Sequence, residues 1–309
     1  MPAETLAIVN PRSGNGATGR RWSHVEQRLR EALGSFDVVH TRAPRDAERI
    51  AREAALSGVA RLIVAGGDGT ASEVASGVLA ADLAGSPQVA VLPLGTGGDF
   101  ARTIRTPRDL ATAIGRLRRG ETRELDAGRI RFRGRDGSEC VSHFINVASL
   151  GITGLTVELM QRAPRLLGGT ASYLIGALRS IRRHECQPVR LRVDGEVVHD
   201  GPLVFAAIAN GSYFGGGMHV APTSRPDDGV LDVVIVSEMS KLELLANLPS
   251  LYRGTHLSHP AVSVHRGREI VAEAEPGEVL LDVDGEPLGS LPAHVVCLPG
   301  AITLFGVDS

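Results

Sequence analysis

Arg61-Leu62-Ile63-Val64-Ala65-Gly66-Gly67-Asp68-Gly69-Thr70-Ala71-Ser72-Glu73-Val74 is the stretch that decides the reading of this chain. Arg61 to Ala65 is a short apolar run that predicts a buried strand. After Thr70 the apolar residues fall at helical spacing, with Val74, Val78 and Leu79 on one face. Two glycines, an acid, a third glycine and a hydroxyl therefore fill a strand-to-helix turn. Open α/β sheets bind ligands at such turns, at the carboxyl ends of their strands. Glycine lets backbone amides approach phosphate oxygens, and the helix N-terminus favours negative charge. A carboxylate in the same turn would repel a phosphate unless Mg²⁺ lies between them, so Asp68 points to phosphoryl transfer.

Outward from this turn, strands are predicted at 5–9, 36–40, 61–65 and 89–92. Helices are predicted at 19–33, 45–57, 70–80 and 108–118. This alternation implies a parallel sheet with helices on both faces. Beyond about residue 122 the rhythm changes to short apolar runs separated by Gly, Asp and Pro. Leu203 to Ile208, Val230 to Val236 and Val279 to Val283 are examples, and they predict an antiparallel sheet or sandwich. Helical patches interrupt it at 152–183 and 240–249. The domains are expected to be a nucleotide-binding α/β domain over 1–125 and a β-rich domain over 126–299.

The composition excludes several classes. At 309 residues, two domains are expected. With 33 basic and 35 acidic residues the chain lacks the basic excess of a general nucleic-acid binder, so no nucleic-acid partner is expected. Lys241 is the only lysine, expected to be solvated at a helix start, so no P-loop lysine is available elsewhere. Three dispersed cysteines argue against a disulfide framework and for a reducing cytoplasm. No signal peptide is expected, since a strand begins at Thr5. Leu166 to Leu178 is uncharged but too short to span a bilayer. Framed by Arg162, Arg165, Arg179, Arg182 and Arg183, it reads either as a membrane-docking segment or as a buried helix with solvated ends.

Two further loops resemble the first. Asn10-Pro11-Arg12-Ser13-Gly14-Asn15-Gly16-Ala17-Thr18-Gly19 contains a formal dinucleotide fingerprint. However, Asn-Pro-Arg-Ser separates the strand from the first glycine, and the second strand ends Val39-His40-Thr41 without the expected acid. A phosphate-facing loop is the better reading, with an ordinary turn as its alternative. Pro93-Leu94-Gly95-Thr96-Gly97-Gly98-Asp99-Phe100-Ala101-Arg102 follows the next strand, and in a purely structural reading Asp99 would be the N-cap of the next helix. Three such loops at successive strand ends converge on one sheet edge. His256 and His259 lack a third ligand, so zinc is not expected.

These three loops closely resemble the catalytic-domain family of diacylglycerol kinases, which includes bacterial lipid kinases and sphingosine and ceramide kinases. The resemblance continues through Asn210-Gly211, Phe214-Gly-Gly-Gly-Met218, Ala221-Pro222, Asp228-Gly-Val-Leu-Asp232, Tyr252-Arg-Gly-Thr-His256 and Asp284-Gly-Glu286. It implies an α/β N-terminal domain, like that of NAD kinases and phosphofructokinases, and a mostly β C-terminal domain. It also implies that the final strand, within 300–309, returns to the N-terminal domain.

The cofactors implied are ATP and Mg²⁺. Nucleotide contacts map onto Asn10, Ser13, Gly14, Thr41, Gly66, Gly67, Gly69, Thr70, Glu73, Gly95, Thr96 and Asp99. Metal ligation maps onto Asp68, Asp99 and Asp126, with a structural metal near Asp228 and Asp232. Glu286 is implied as general base, with Asp284 orienting it and Asp68 organising the nucleotide. A second Asp-Gly-Glu, Asp194 to Glu196, is read as a plain hairpin.

Two positions depart from the family pattern. Asn15 stands where a basic residue is usual, so Arg12, Arg20 or Arg21 would have to compensate. Gly98 stands where an Asn is usual. The function expected is transfer of the γ-phosphate to a lipid hydroxyl, diacylglycerol first and a sphingoid or other glycerolipid next. A cytoplasmic protein on the inner membrane face is implied, with a homodimer kept as a partner alternative. The rival readings are an NAD kinase-like small-molecule kinase and a lipid-binding module without turnover.

Overall fold

The computed structural model describes residues 4–83, 85–95, 98–161, 169–183, 185–274 and 279–307. The chain divides into two compact units, Met1–Leu125 with Gly300–Ser309, and Asp126–Pro299.

The first unit contains β1 (Thr5–Val9), α1 (Ala17–Leu33), β2 (Asp37–His40), α2 (Asp46–Leu56), β3 (Arg61–Gly66), α3 (Asp68–Ala80), β4 (Gln88–Pro93), α4 (Asp99–Thr103) and α5 (Leu110–Arg119). β1 pairs in parallel with β2 and β3, and β3 with β4. Period-2 alternation turns Ala7, Val9, Ile63 and Ala65 to one face, where they pack with Trp22, Val25 and Leu29 of α1 and Ile114 and Leu117 of α5. The i, i+3, i+7 spacing of Trp22, Val25 and Leu29 gives α1 its buried stripe. Asp109 caps α5 by accepting from the Thr112 amide at 2.7 Å, and Gly120 ends it at φ 70°. The 70–80 expectation misses the true start of α3, which takes in Asp68 as its first residue.

The second unit contains β5 (Thr122–Gly134, entering from the first unit), β6 (Glu139–Phe144), β7 (Val147–Gly151), α6 (Ile152–Gln161), α7 (Gly169–Arg183), β8 (Gln187–Val193), β9 (Glu196–Ala209), β10 (Leu231–Ser237), α8 (Lys241–Arg253), β11 (Val262–Gly267), β12 (Glu269–Ala274), β13 (Leu280–Val283) and β14 (Glu286–Phe305). Its pairings are antiparallel. β7–β9–β8–β12–β14–β13 closes back on β7, forming a ring of six strands. The ring closes because β9 and β14 are long enough to pair with different neighbours along their lengths. Its interior holds Ala148, Leu150, Leu191, Ile208, Ile270, Leu281, Val283 and Val295. A second apolar cluster, with Val147, Ala207, Ala209, Met218, Val234 and Leu251, lies on the other strand face. The helical patch at 152–183 comprises two helices, α6 and α7. Arg162, Arg165, Leu166 and Leu167 lie outside the described residues. Lys241 is exposed, and its Nζ donates to the Arg182 carbonyl at 2.8 Å. The last residues of β14 return to the first unit, where Leu304 pairs in parallel with Val89.

α2 and α3 meet at Gly77, where an added Cβ would overlap the Glu48 carbonyl oxygen. Gly77→Ala is therefore expected to lower the stability of the first unit by about 1–3 kcal/mol through forced separation of two packed helices. Trp22, the only tryptophan, is buried in this unit. A fall in the urea midpoint of its fluorescence checks the effect; an unchanged midpoint contradicts the close packing.

Candidate active site

In the first unit three glycine loops touch. A Cβ on Gly95 would lie 2.7 Å from the Gly67 Cα, and one on Gly14 would lie 3.2 Å from the Leu94 carbonyl. The Gly67–Gly95 approach excludes any side chain at Gly95. Leu94 and Gly95 both donate their amides to the Gly66 carbonyl at 3.0 Å, which locks the third loop to the second. The Asn10 Nδ2 donates to Thr70 Oγ1 at 3.0 Å, tying the first loop to the start of α3. Thr70 folds back over Gly66, whose Cβ would meet it at 2.6 Å.

Asp68 holds this arrangement from the other side. Its Oδ2 accepts from the amides of Gly98 at 2.7 Å and Asp99 at 2.8 Å. Asp99 is thus the first residue of α4. The N-cap is Gly98, at a φ of 99° that a glycine adopts freely. The purely structural alternative, Asp99 as N-cap, does not hold: its own carboxylate, buried, accepts from Arg102 at 2.8 Å. Gly14, Asn15 and Gly16 are successive left-handed residues, a conformation that Asn tolerates better than a basic side chain does. Of the three arginines, Arg20 returns to this loop, donating to the Asn15 carbonyl at 3.3 Å.

Ser13, Glu73 and Thr41 also bond within the protein. The Ser13 hydroxyl bonds the Thr18 hydroxyl, which in turn donates to the Leu94 carbonyl at 3.2 Å. Glu73 accepts from the Ala47 amide at 3.1 Å, at the start of α2. The Thr41 amide donates to the Val9 carbonyl at 2.8 Å, beside the root of the first loop. Gly69 stands in open space on the first turn of α3. Thr96 lies outside the described residues.

In the second unit the acids form separate clasps. Asp284, at φ 50°, accepts from the amides of Ile145 and Asn146 at 3.1 Å and Val147 at 2.9 Å. Glu286 is exposed at the start of β14. Asp126, buried, accepts from the Gly229 amide at 2.7 Å. Asp228 and Asp232, expected beside a structural metal, both face Arg266. Its Nη2 bonds Asp228, and its Nε donates to Asp232 Oδ1 at 2.9 Å, while Thr223 donates to Asp232 Oδ2 at 2.5 Å. A guanidinium thus supplies the positive charge between them. Among the described residues no three His, Cys, Asp or Glu side chains gather as a metal cage.

Residue reasoning missed Asp282. It lies inside the apolar run Leu280 to Val283, only 3% exposed, and a lone acid in such a run is its sequence signal. Its carboxylate accepts from the Ser149 hydroxyl and from the Gly285 amide at 3.2 Å. Burial pushes its carboxyl up to about 7; the two hydrogen bonds oppose the rise, and the charges of Asp284 and Glu286 add to it. Nearby, Gly151, Leu155, Leu203, Val279 and Leu280 line a cavity of about 250 Å³ together with Arg183, Glu185 and Gln187.

Residues 4–130 match the family described as diacylglycerol kinase catalytic domain, and residues 146–306 match the YegS C-terminal NAD kinase beta sandwich-like domain. The chain is a member of the diacylglycerol kinase and YegS-type lipid kinase family. It is 31% identical to a diacylglycerol kinase of Bacillus subtilis (strain 168) over 94% of this chain and 92% of that one. It is 34% identical to the "Probable lipid kinase YegS-like" of Chromohalobacter salexigens over 90% of this chain and 86% of that one. A diacylglycerol kinase structure from Bacillus anthracis str. Sterne superposes with a TM-score of 0.72 at 26% identity, covering 97% and 96% of the two chains. Yeast NADH kinase shares the fold at a TM-score of 0.55 and 16% identity, covering 99% of this chain and 83% of that one.

Within this family member, Arg266 is expected to stand in for a structural cation. Chelation by EDTA should leave the melting temperature of the wild type unchanged. Arg266→Met should cost about 1–2 kcal/mol, because Asp232 stays buried while the guanidinium it loses was half-exposed. A wild-type melting point that falls on chelation contradicts the substitution.

Unfolded, the Asp282 carboxyl ionises near 3.8; folded, near 7. Between those values the native state binds the extra proton, so this group's contribution to stability falls as pH rises from about 4 to about 7 and is level above. Asp282→Asn is expected to gain stability relative to wild type between pH 5 and pH 8 in thermal melts. An equal difference at both pH values refutes the raised ionisation.

Proposed function

We propose that the protein is an ATP- and Mg²⁺-dependent lipid kinase that phosphorylates a lipid hydroxyl at the inner membrane surface. Diacylglycerol is the first acceptor, and a sphingoid base, ceramide or another glycerolipid the next. The observation that carries this reading is the contact of Gly14, Gly67 and Gly95 at the start of α3, in a chain of this family. Side chains are excluded where backbone amides and a helix N-terminus meet, which is the surface a polyphosphate needs. Asp68 and Asp99 lie at the same edge and are the residues to hold Mg²⁺. When bound, the metal neutralises charge on the phosphates.

In this reading Glu286 takes the proton from the lipid hydroxyl. The oxygen left behind bonds the γ-phosphorus, its bond to the bridging oxygen breaks, and ADP leaves. Asp284 orients Glu286 by anchoring the turn before it. The apolar wall of the cavity beside Leu280, with Leu155, Leu203 and Val279, supports an acyl chain as the substrate's body, and Arg183, Glu185 and Gln187 form its polar side. No helix among the described residues is long and apolar enough to cross a membrane. The lipid would then be met at a surface.

Transfer of labelled γ-phosphate in mixed micelles tests the proposal, with diacylglycerol, monoacylglycerol, sphingosine, ceramide and phosphatidylglycerol as acceptors and NAD as a soluble control. Label is expected on a lipid. Asp68→Ala should abolish it, and Glu286→Gln should lower kcat by about 10²–10⁴-fold with ATP binding retained. Label on NAD instead would move the protein to the small-molecule kinases. ATP binding with no transfer to any acceptor would favour a binding module.

A further inference from the structure

The second unit contains two Asp-Gly-Glu hairpins of nearly the same shape. Asp194 and Gly195 have φ of 49° and 86°; Asp284 and Gly285 have 50° and 84°. Both aspartates accept backbone amides from another segment: Asp194 from Arg268 at 2.9 Å and Glu269 at 2.8 Å, Asp284 from the 145–147 strand start. Turn geometry therefore does not separate them.

The residue two places before the aspartate does. At the first turn it is Arg192, partly exposed and paired with Glu273 at 3.1 Å. At the second it is the buried Asp282. The β13–β7 register sets Asp282 opposite Ser149, and alternation puts it on the same sheet face as Leu280 at the cavity wall. From there its carboxylate reaches up to the turn and accepts the Gly285 amide. A buried carboxyl is costly where a leucine would fit the apolar run, so its placement calls for a role beyond packing.

We propose that Asp282, seated on Ser149, is a positioning residue for Glu286: by holding the Gly285 amide it fixes the direction in which the Glu286 carboxylate leaves the hairpin. This rests on the reading of Glu286 as the base. Asp282→Leu puts a larger apolar side chain in its place and removes both hydrogen bonds, while Asn is the isosteric control. Asp282→Asn keeps an acceptor for Gly285 and gains a donor for the Ser149 hydroxyl.

The test uses the full chain and two readouts. Hydrogen–deuterium exchange is followed over 283–287, with 193–197 as an internal control, and kcat and KM are measured for the lipid. Asp282→Leu is expected to exchange faster at 283–287 only, and to lose about 100-fold in kcat with lipid KM held within about threefold. Asp282→Asn is expected to restore slow exchange and to keep kcat within about fivefold of wild type. Wild-type exchange and kcat in a folded Asp282→Leu overturn the proposal. So does faster exchange at both hairpins, which would mean general loosening, or an Asn variant as impaired as the Leu variant. Exchange is read without turnover, so it decides the pinning even in a protein that transfers nothing. Transfer at the wild-type rate by Glu286→Gln overturns the base assignment and with it the catalytic half of the proposal.

Discussion

The approach of Gly95 to Gly67 is the constraint on which the first unit's candidate site depends. A backbone stacked on another backbone at this distance leaves no volume for a Cβ on Gly95. It brings the ends of β3 and β4 together and sets where α3 and α4 begin. Asp68 then closes the arrangement by accepting two amides from the start of α4. Glycine here is a packing requirement as much as a binding one. The same residues that expose amides also make the loops fit against each other.

The carboxylates show how a residue type can be right and its partner wrong. Asp284 accepts from the amides of Ile145, Asn146 and Val147, and Asp126 from that of Gly229. Asp232 is satisfied by an arginine thirty-four positions away and by a nearby threonine. Each buried charge has found hydrogen bonds within the protein, as a low-dielectric interior requires. Arg266 in particular turns a pair of acids that reads as a cation site into an internally neutralised pair.

Much of this was legible beforehand, for local reasons. β1, β3 and β4 follow from short apolar runs, and α1 from the spacing of Trp22, Val25 and Leu29. The glycine loops at their ends follow from strand-to-turn position. What stayed hidden depends on distant partners. Nothing in Glu73 announces the amide of Ala47, and nothing in the Phe100 helix announces that Gly98 rather than Asp99 would cap it. The two Asp-Gly-Glu hairpins were told apart by family resemblance alone, because the physical difference between them lies in Ser149 and in the face that Asp282 occupies. The division of the 152–183 patch into two helices was likewise beyond local pattern.

β14 has a consequence for the order of folding. Its first residues pair with β13, its middle with β12, and its end with β4. The six-strand ring of the second unit and the sheet edge beyond β4 in the first both wait for this segment. A nascent chain that has passed residue 125 on the ribosome has thus made the glycine loops but not the strand that flanks their sheet. Neither unit can complete its sheet before residues 286–305 emerge, so one segment at the end of the chain finishes both.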